Sequence, residues 1–113
     1  MTPSQVPIAW LIDNQKISGY LLNIEHPHGA SKAKYLMRFG FRPESPDALA
    51  SALVEHALKN LPGLEVVPPG GSPKIVFEGV VAAPDGRDMP LRTVWKRRAP
   101  FEMRFVTAVP LTR

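Results

Sequence analysis

Cysteine is absent from this sequence of 113 residues, which excludes a disulfide framework, a thiolate zinc site and a cysteine nucleophile together. No stretch approaches the ~20 apolar residues that a membrane helix requires. The opening Met1-Thr2-Pro3-Ser4-Gln5-Val6-Pro7 lacks the basic region and long apolar core of a secretory signal. A cytoplasmic location without membrane attachment is therefore the expectation. Several catalytic signatures are missing as well. Gly70-Gly71-Ser72 lacks the trailing Gly-Lys-Ser/Thr of a P-loop, and no Gly-x-Ser-x-Gly elbow occurs. Asp85 and Asp88 fall in a turn and do not form a glycosidase-type carboxylate pair. His26, His28 and distant His56 make a poor zinc set without cysteine, so no metal or cofactor is expected. Acidic residues are in the minority, 10 against 14 Lys and Arg, for a net charge of +4. That balance favours polyanionic partners.

What is present fits one domain spanning residues 1–113, with the first ten residues or so as a flexible arm. Apolar residues make up 44%, enough for a packed core, and the 13 prolines are scattered as punctuation. The spacing predicts a first short helix over 13–23, capped by Asp13 or Asn14 and interrupted by Gly19. Pro27 and Gly29 turn the chain into a second helix capped by Ser31, which Gly40 ends as a left-handed residue with Phe41 folding back. Ser45-Pro46 opens a third helix, whose Leu49, Leu53, Ala57 and Leu61 form an apolar arc. Strands are predicted over 64–67, 74–82, 91–96 and 103–109, the second and third joined by the turn Pro84-Asp85-Gly86-Arg87. Two or three N-terminal helices followed by a four-stranded antiparallel meander make an α+β fold.

Lys32 is the most informative residue. On a helical wheel it joins Tyr35, Leu36 and Phe39 on the inward stripe, while Lys34 and Arg38 face solvent. An inward ammonium near a helix N-terminus is unfavourable unless an anion sits there, or unless its head snorkels to water. His26 and His28, just before that helix, suit acid–base chemistry or loop hydrogen bonding. His56 reads as structural. On the sheet, alternation places Thr93, Trp95, Phe105 and Thr107 on one face, and Arg92 and Arg104 on the other. Arginine, threonine and an aromatic ring suit phosphate and base recognition, and equally suit cross-strand packing beneath a solvated basic rim.

The run His26-Pro27-x-Gly29-x-x-Lys32-Ala33, ending at Gly40-Phe41, is followed by Arg92-Thr93-Val94-Trp95 and Phe105-Val106-Thr107-Ala108-Val109-Pro110. Together these resemble an uncharacterised family of small bacterial toxin-like domains, found beside antitoxin-like partners or at the ends of polymorphic toxins. The element order resembles the barnase–EndoU–colicin–RelE ribonuclease superfamily. Val109 stands where the family pattern has tyrosine. The resemblance implies an endoribonuclease that needs no metal and drives the RNA 2′-hydroxyl onto the neighbouring phosphate. It implies His26 as acid–base group, Lys32 as phosphate ligand, Arg92 as transition-state stabiliser and Thr107 as phosphate hydrogen-bond partner. Lys34, Thr93, Trp95 and Arg104 would bind the RNA. A small, acidic antitoxin or immunity protein is the implied partner. The alternative is a non-catalytic module that docks a protein or nucleic acid through its sheet and basic hairpin.

Overall fold

The computed structural model describes residues 8–111. The arm expected at the N-terminus lies outside the described residues as far as residue 7; beyond it, Ala9–Leu11 is a strand, β1. Asp13 caps α1 (Asn14–Lys16), its carboxylate accepting the Gln15 N–H at 2.9 Å. This helix runs directly into a π-helical turn, Ile17–Leu21, closed by the Leu22 N–H donating to the Ile17 carbonyl. Then follow α2 (Ala30–Arg38), α3 (Pro46–Lys59), β2 (Leu64–Val66), β3 (Lys74–Ala82), β4 (Asp88–Ala99) and β5 (Glu102–Pro110). No helix among the described residues is long and apolar enough to cross a membrane.

The fold is α+β, with a five-stranded sheet in the order β1-β5-β4-β3-β2. The meander β2 to β5 is antiparallel as the sequence predicts, whereas β1 adds a parallel strand beside β5 that three residues could not announce. Gly40 ends α2 at φ +103, and the Phe41 N–H returns to the Leu36 carbonyl, which makes the expected reversal. Ile75, Phe77 and Val81 of β3, Met89, Leu91 and Trp95 of β4, and Met103, Phe105 and Ala108 of β5 face the helices. They close one core with Ile17, Leu21, Leu36, Leu49 and Leu53. Trp10 of β1 stands edge-on to Trp95 at 5.0 Å between ring centroids.

Thr93 and Trp95 are fully buried in this core, beneath α3 and not on a surface that bases could reach. A chain of hydrogen bonds fixes them there. The Trp95 indole N–H donates to the Thr93 hydroxyl at 3.0 Å, and that hydroxyl lies 3.1 Å from His56 Nδ1. His56 Nε2 lies 2.9 Å from the Leu91 carbonyl, which can only accept. The ring hydrogen is therefore on Nε2, and Thr93 donates to Nδ1. Burial holds the His56 pKa below its ordinary value, against a smaller opposing effect from backbone hydrogen bonds to Leu91 and Gly79.

Candidate active site

The site begins with how the sequence starts α2. His26 Nδ1 accepts the N–H groups of His28 at 3.0 Å and Gly29 at 3.1 Å. The imidazole thus fixes the turn that leads into α2, whose N-cap is Gly29 and not the expected Ser31; no side chain caps the helix, and Ser31 lies within its first turn. Because both partners are donors, Nδ1 carries no hydrogen, and the ring hydrogen sits on Nε2. His26 consequently offers its outer nitrogen as a hydrogen-bond donor and not as a base. The ring stands edge-on to Tyr20, with centroids 5.0 Å apart.

Gly29 is buried against the π-helical turn. A Cβ there would lie 2.5 Å from the Tyr20 backbone oxygen and 2.8 Å from its ring, so only glycine permits this approach. The contact seats α2 against the turn, and Lys32, about one turn further on, meets Tyr20. Its ammonium donates to the Tyr20 phenol at 2.6 Å and to the Thr107 hydroxyl at 2.9 Å; the two oxygens lie 3.2 Å apart. Among the described residues no carboxylate pairs with Lys32. Its charge is met by two hydroxyls and, among the described residues, by no ion pair.

Thr107 reaches this point through a β-bulge. Trp95 pairs with Phe105 and Val94 with Thr107, leaving Val106 as the extra residue of β5. The bulge moves Thr107 out of phase with Trp95, where uninterrupted alternation would have aligned the two. β1 covers only Glu102, Met103 and Arg104 of β5, so the outer edge beyond them is free to meet the helical segments.

The three polar tips open onto a cleft of about 640 Å³, lined also by Asp13, Gln15, Lys16, Gly19, His26, His28 and Val106. Asp13 is the sole carboxylate in that lining. Burial by itself would raise the Tyr20 pKa. The hydrogen bonds from Lys32 and Thr107, with the charges of Lys32 and Lys16, outweigh it and leave the phenol below its ordinary value.

Of the site residues read from the sequence, His26, Lys32 and Thr107 converge on the cleft. Arg92 does not. It lies on the sheet face turned away from the helices and forms an ion pair with Glu78, directly opposite on β3. Lys34 is exposed on α2 outside the cleft lining. Arg104 lies on the same open face as Arg92, opposite Lys96. Tyr20 and Lys16 are the residues that sequence reasoning missed. In sequence, Tyr20 is one more aromatic on a helical stripe; its phenol is given meaning by a threonine 87 residues away.

A family model described as a domain of unknown function (DUF6883) matches residues 8–112. No curated protein matches the chain. Among solved structures, the fold is similar to one chain of a contact-dependent growth inhibition toxin–immunity protein complex from Klebsiella pneumoniae 342. The TM-score is 0.68 at 14% identity, over 89% of this chain and 99% of that one.

Proposed function

This chain belongs to the DUF6883 family, and we propose that it is a toxin-like endoribonuclease of a bacterial toxin–antitoxin or immunity system. The observation that carries this reading is the Lys32 ammonium, held by Tyr20 and Thr107 at the wall of an open cleft and without an ion-pair partner among the described residues. A half-buried cation without an anion is costly, and a phosphate seated against it would remove that cost. The phenol beside it titrates below its ordinary value, so more of it is ionised near neutrality than of a free tyrosine.

RNA supplies its own nucleophile. With a phosphodiester seated on Lys32, the Tyr20 oxygen takes the 2′-hydroxyl proton. The 2′-oxygen then attacks phosphorus, and the bond to the 5′-oxygen breaks as that oxygen takes a proton from cleft water. Lys32, the Thr107 hydroxyl and the His26 Nε2 hydrogen stabilise the charge that gathers on the phosphoryl oxygens. Lys16 supplies the second cation, the part that the resemblance implied for Arg92. The similarity in fold to a chain of a toxin–immunity protein complex supports a toxin role and a protein partner. A small acidic protein covering this basic cleft would restrain the activity by charge complementarity.

The test is direct. Purified protein is incubated with 5′-labelled RNA in EDTA, beside the same RNA carrying 2′-O-methyl groups. Cleavage of the first alone, leaving 2′,3′-cyclic phosphate and 5′-hydroxyl ends, is the expected result. Intact RNA in the presence of folded protein would overturn the enzyme reading in favour of the binding module.

A further inference from the structure

The sheet face turned away from the helices carries a second basic feature. Lys74 on β3 lies directly opposite Lys96 on β4, and Lys96 lies opposite Arg104 on β5. Neighbouring strands are about 4.8 Å apart, so three cations are aligned within roughly 10 Å. Like charges at directly opposed positions repel. Two other arginines of the sheet are matched, Arg92 by Glu78 and Arg97 by Glu65. Among the described residues no carboxylate pairs with any member of this row. The Arg104 Nε hydrogen is moreover buried without an acceptor among the described residues, so the side chain is held in the row by packing and not by a hydrogen bond at that atom.

Along β5, Arg104 is two residues from Val106 and three from Thr107, both of which line the cleft. We infer that Lys74, Lys96 and Arg104 form a track for the phosphodiester backbone of single-stranded RNA leaving the cleft. This rests on the proposed function for the identity of the polymer. Two features favour nucleic acid over a protein. The row carries one sign of charge only, which suits a uniform polyanion. Its neighbours on the open face are Val76 and Val94, with Val66 opposite Lys74 and Leu11 opposite Arg104 at its two ends; these are aliphatic, without the large aromatic anchors around which protein interfaces are built.

The test reads binding, and so is independent of cleavage. A fluorescein-labelled 12-nucleotide RNA, 2′-O-methylated throughout so that it cannot react, is titrated with protein at several NaCl concentrations, and anisotropy gives the affinity. In the triple variant Lys74→Gln/Lys96→Gln/Arg104→Gln, the slope of log affinity against log salt should fall by about 2, from ~0.7 per phosphate contact on a single strand. Affinity in 0.1 M salt should fall on the order of 100-fold. Lys74→Gln/Lys96→Gln, which leaves the packed guanidinium in place, should lower the slope by about 1.4 and serves if the triple variant does not fold. Lys59→Gln/Arg42→Gln removes the same charge from exposed positions outside the sheet and should leave the slope unchanged. An equal slope in wild type and row variants, or no binding by the wild type, overturns the track. So does loss of binding to labelled poly-L-glutamate with RNA binding intact, which would make the row a protein-docking surface. Failure of the wild type to cleave unmodified RNA defeats the nuclease reading alone and leaves the anisotropy result standing.

Discussion

Replacing Lys32 with methionine separates function from stability more cleanly than any other change in this protein. Methionine keeps the length of the stem and its packing while removing the charge. Two charge-assisted hydrogen bonds disappear, to Tyr20 at 2.6 Å and to Thr107 at 2.9 Å. Their acceptors are not orphaned, because the phenol and the hydroxyl already lie 3.2 Å apart and one can donate to the other. The desolvation of a half-buried ammonium is relieved at the same time. These opposing changes are each about 1 kcal/mol, so the net effect on stability should stay within about 1 kcal/mol, or roughly 4 °C in melting temperature for a domain of this size. The effect on cleavage should be far larger. Removing one preorganised donor that faces developing oxyanion charge costs about 2.7–4 kcal/mol, a 10²–10³-fold loss of rate. Single-turnover cleavage of labelled RNA and a thermal melt on the same preparation measure both. Residual activity above about a tenth of wild type would refute the assigned role. A fall of 10 °C or more, roughly 2.5 kcal/mol, would identify Lys32 as a structural residue instead.

Tyr20→Phe leaves Lys32 bonded to Thr107 and should lower cleavage on the order of 100-fold, as loss of a proton acceptor does; wild-type rates should rise with pH towards the depressed phenol pKa, and a variant profile of the same slope would exclude Tyr20 as the base. Gly29→Ala forces a methyl group into the Tyr20 backbone and should cost about 1–3 kcal/mol in a urea titration, with a loss of cleavage beyond what the unfolded fraction explains. His56 is held below its ordinary value of 6.5 by burial, so on acidification the unfolded chain takes up a proton that the folded chain refuses. Stability should therefore be full above pH 6.5 and fall as pH drops below it, and an unchanged urea midpoint between pH 7.5 and 5.5 would contradict the buried neutral ring.

Local chemistry made much of this architecture legible. Gly40, Ser45-Pro46 and Asp85-Gly86 each mark a boundary through a backbone requirement of their own, and the structure has a boundary at each. Lys32 stood out because a charge interrupts an apolar stripe, and it does lie at the cleft. The remaining features depend on partners distant in the chain. β1 is too short for a period to register, and its partner Glu102–Arg104 lies some ninety residues on. Alternation correctly put Thr93 and Trp95 on one face, yet it carries no information about which face is covered, and α3 covers theirs. The bulge at Val106 shifts the phase of β5, so that the buried pair Phe105 and Ala108 is spaced by three residues. Spacing of that kind reads as helix as readily as strand. Glu78 captures Arg92 through hairpin register, which removes from the cleft the arginine that the motif had assigned to it.

The long span of the Lys32–Thr107 contact also bears on the moment at which the protein becomes competent. Translation delivers the chain from its N-terminus, and 75 residues separate the two partners. At 5–20 residues per second, roughly 4–15 s pass between the synthesis of Lys32 and that of Thr107. During that interval Tyr20, His26 and Lys32 exist without the strand that orders them, and the sheet that must receive them still has to form its long-range pairings. A chain interrupted between residues 41 and 107 contains the most recognisable motif in the sequence and no assembled site. A ribonuclease built in this order would be harmless to the ribosome making it until the last strand is in place, which is also the earliest moment at which a restraining partner would have a complete cleft to cover.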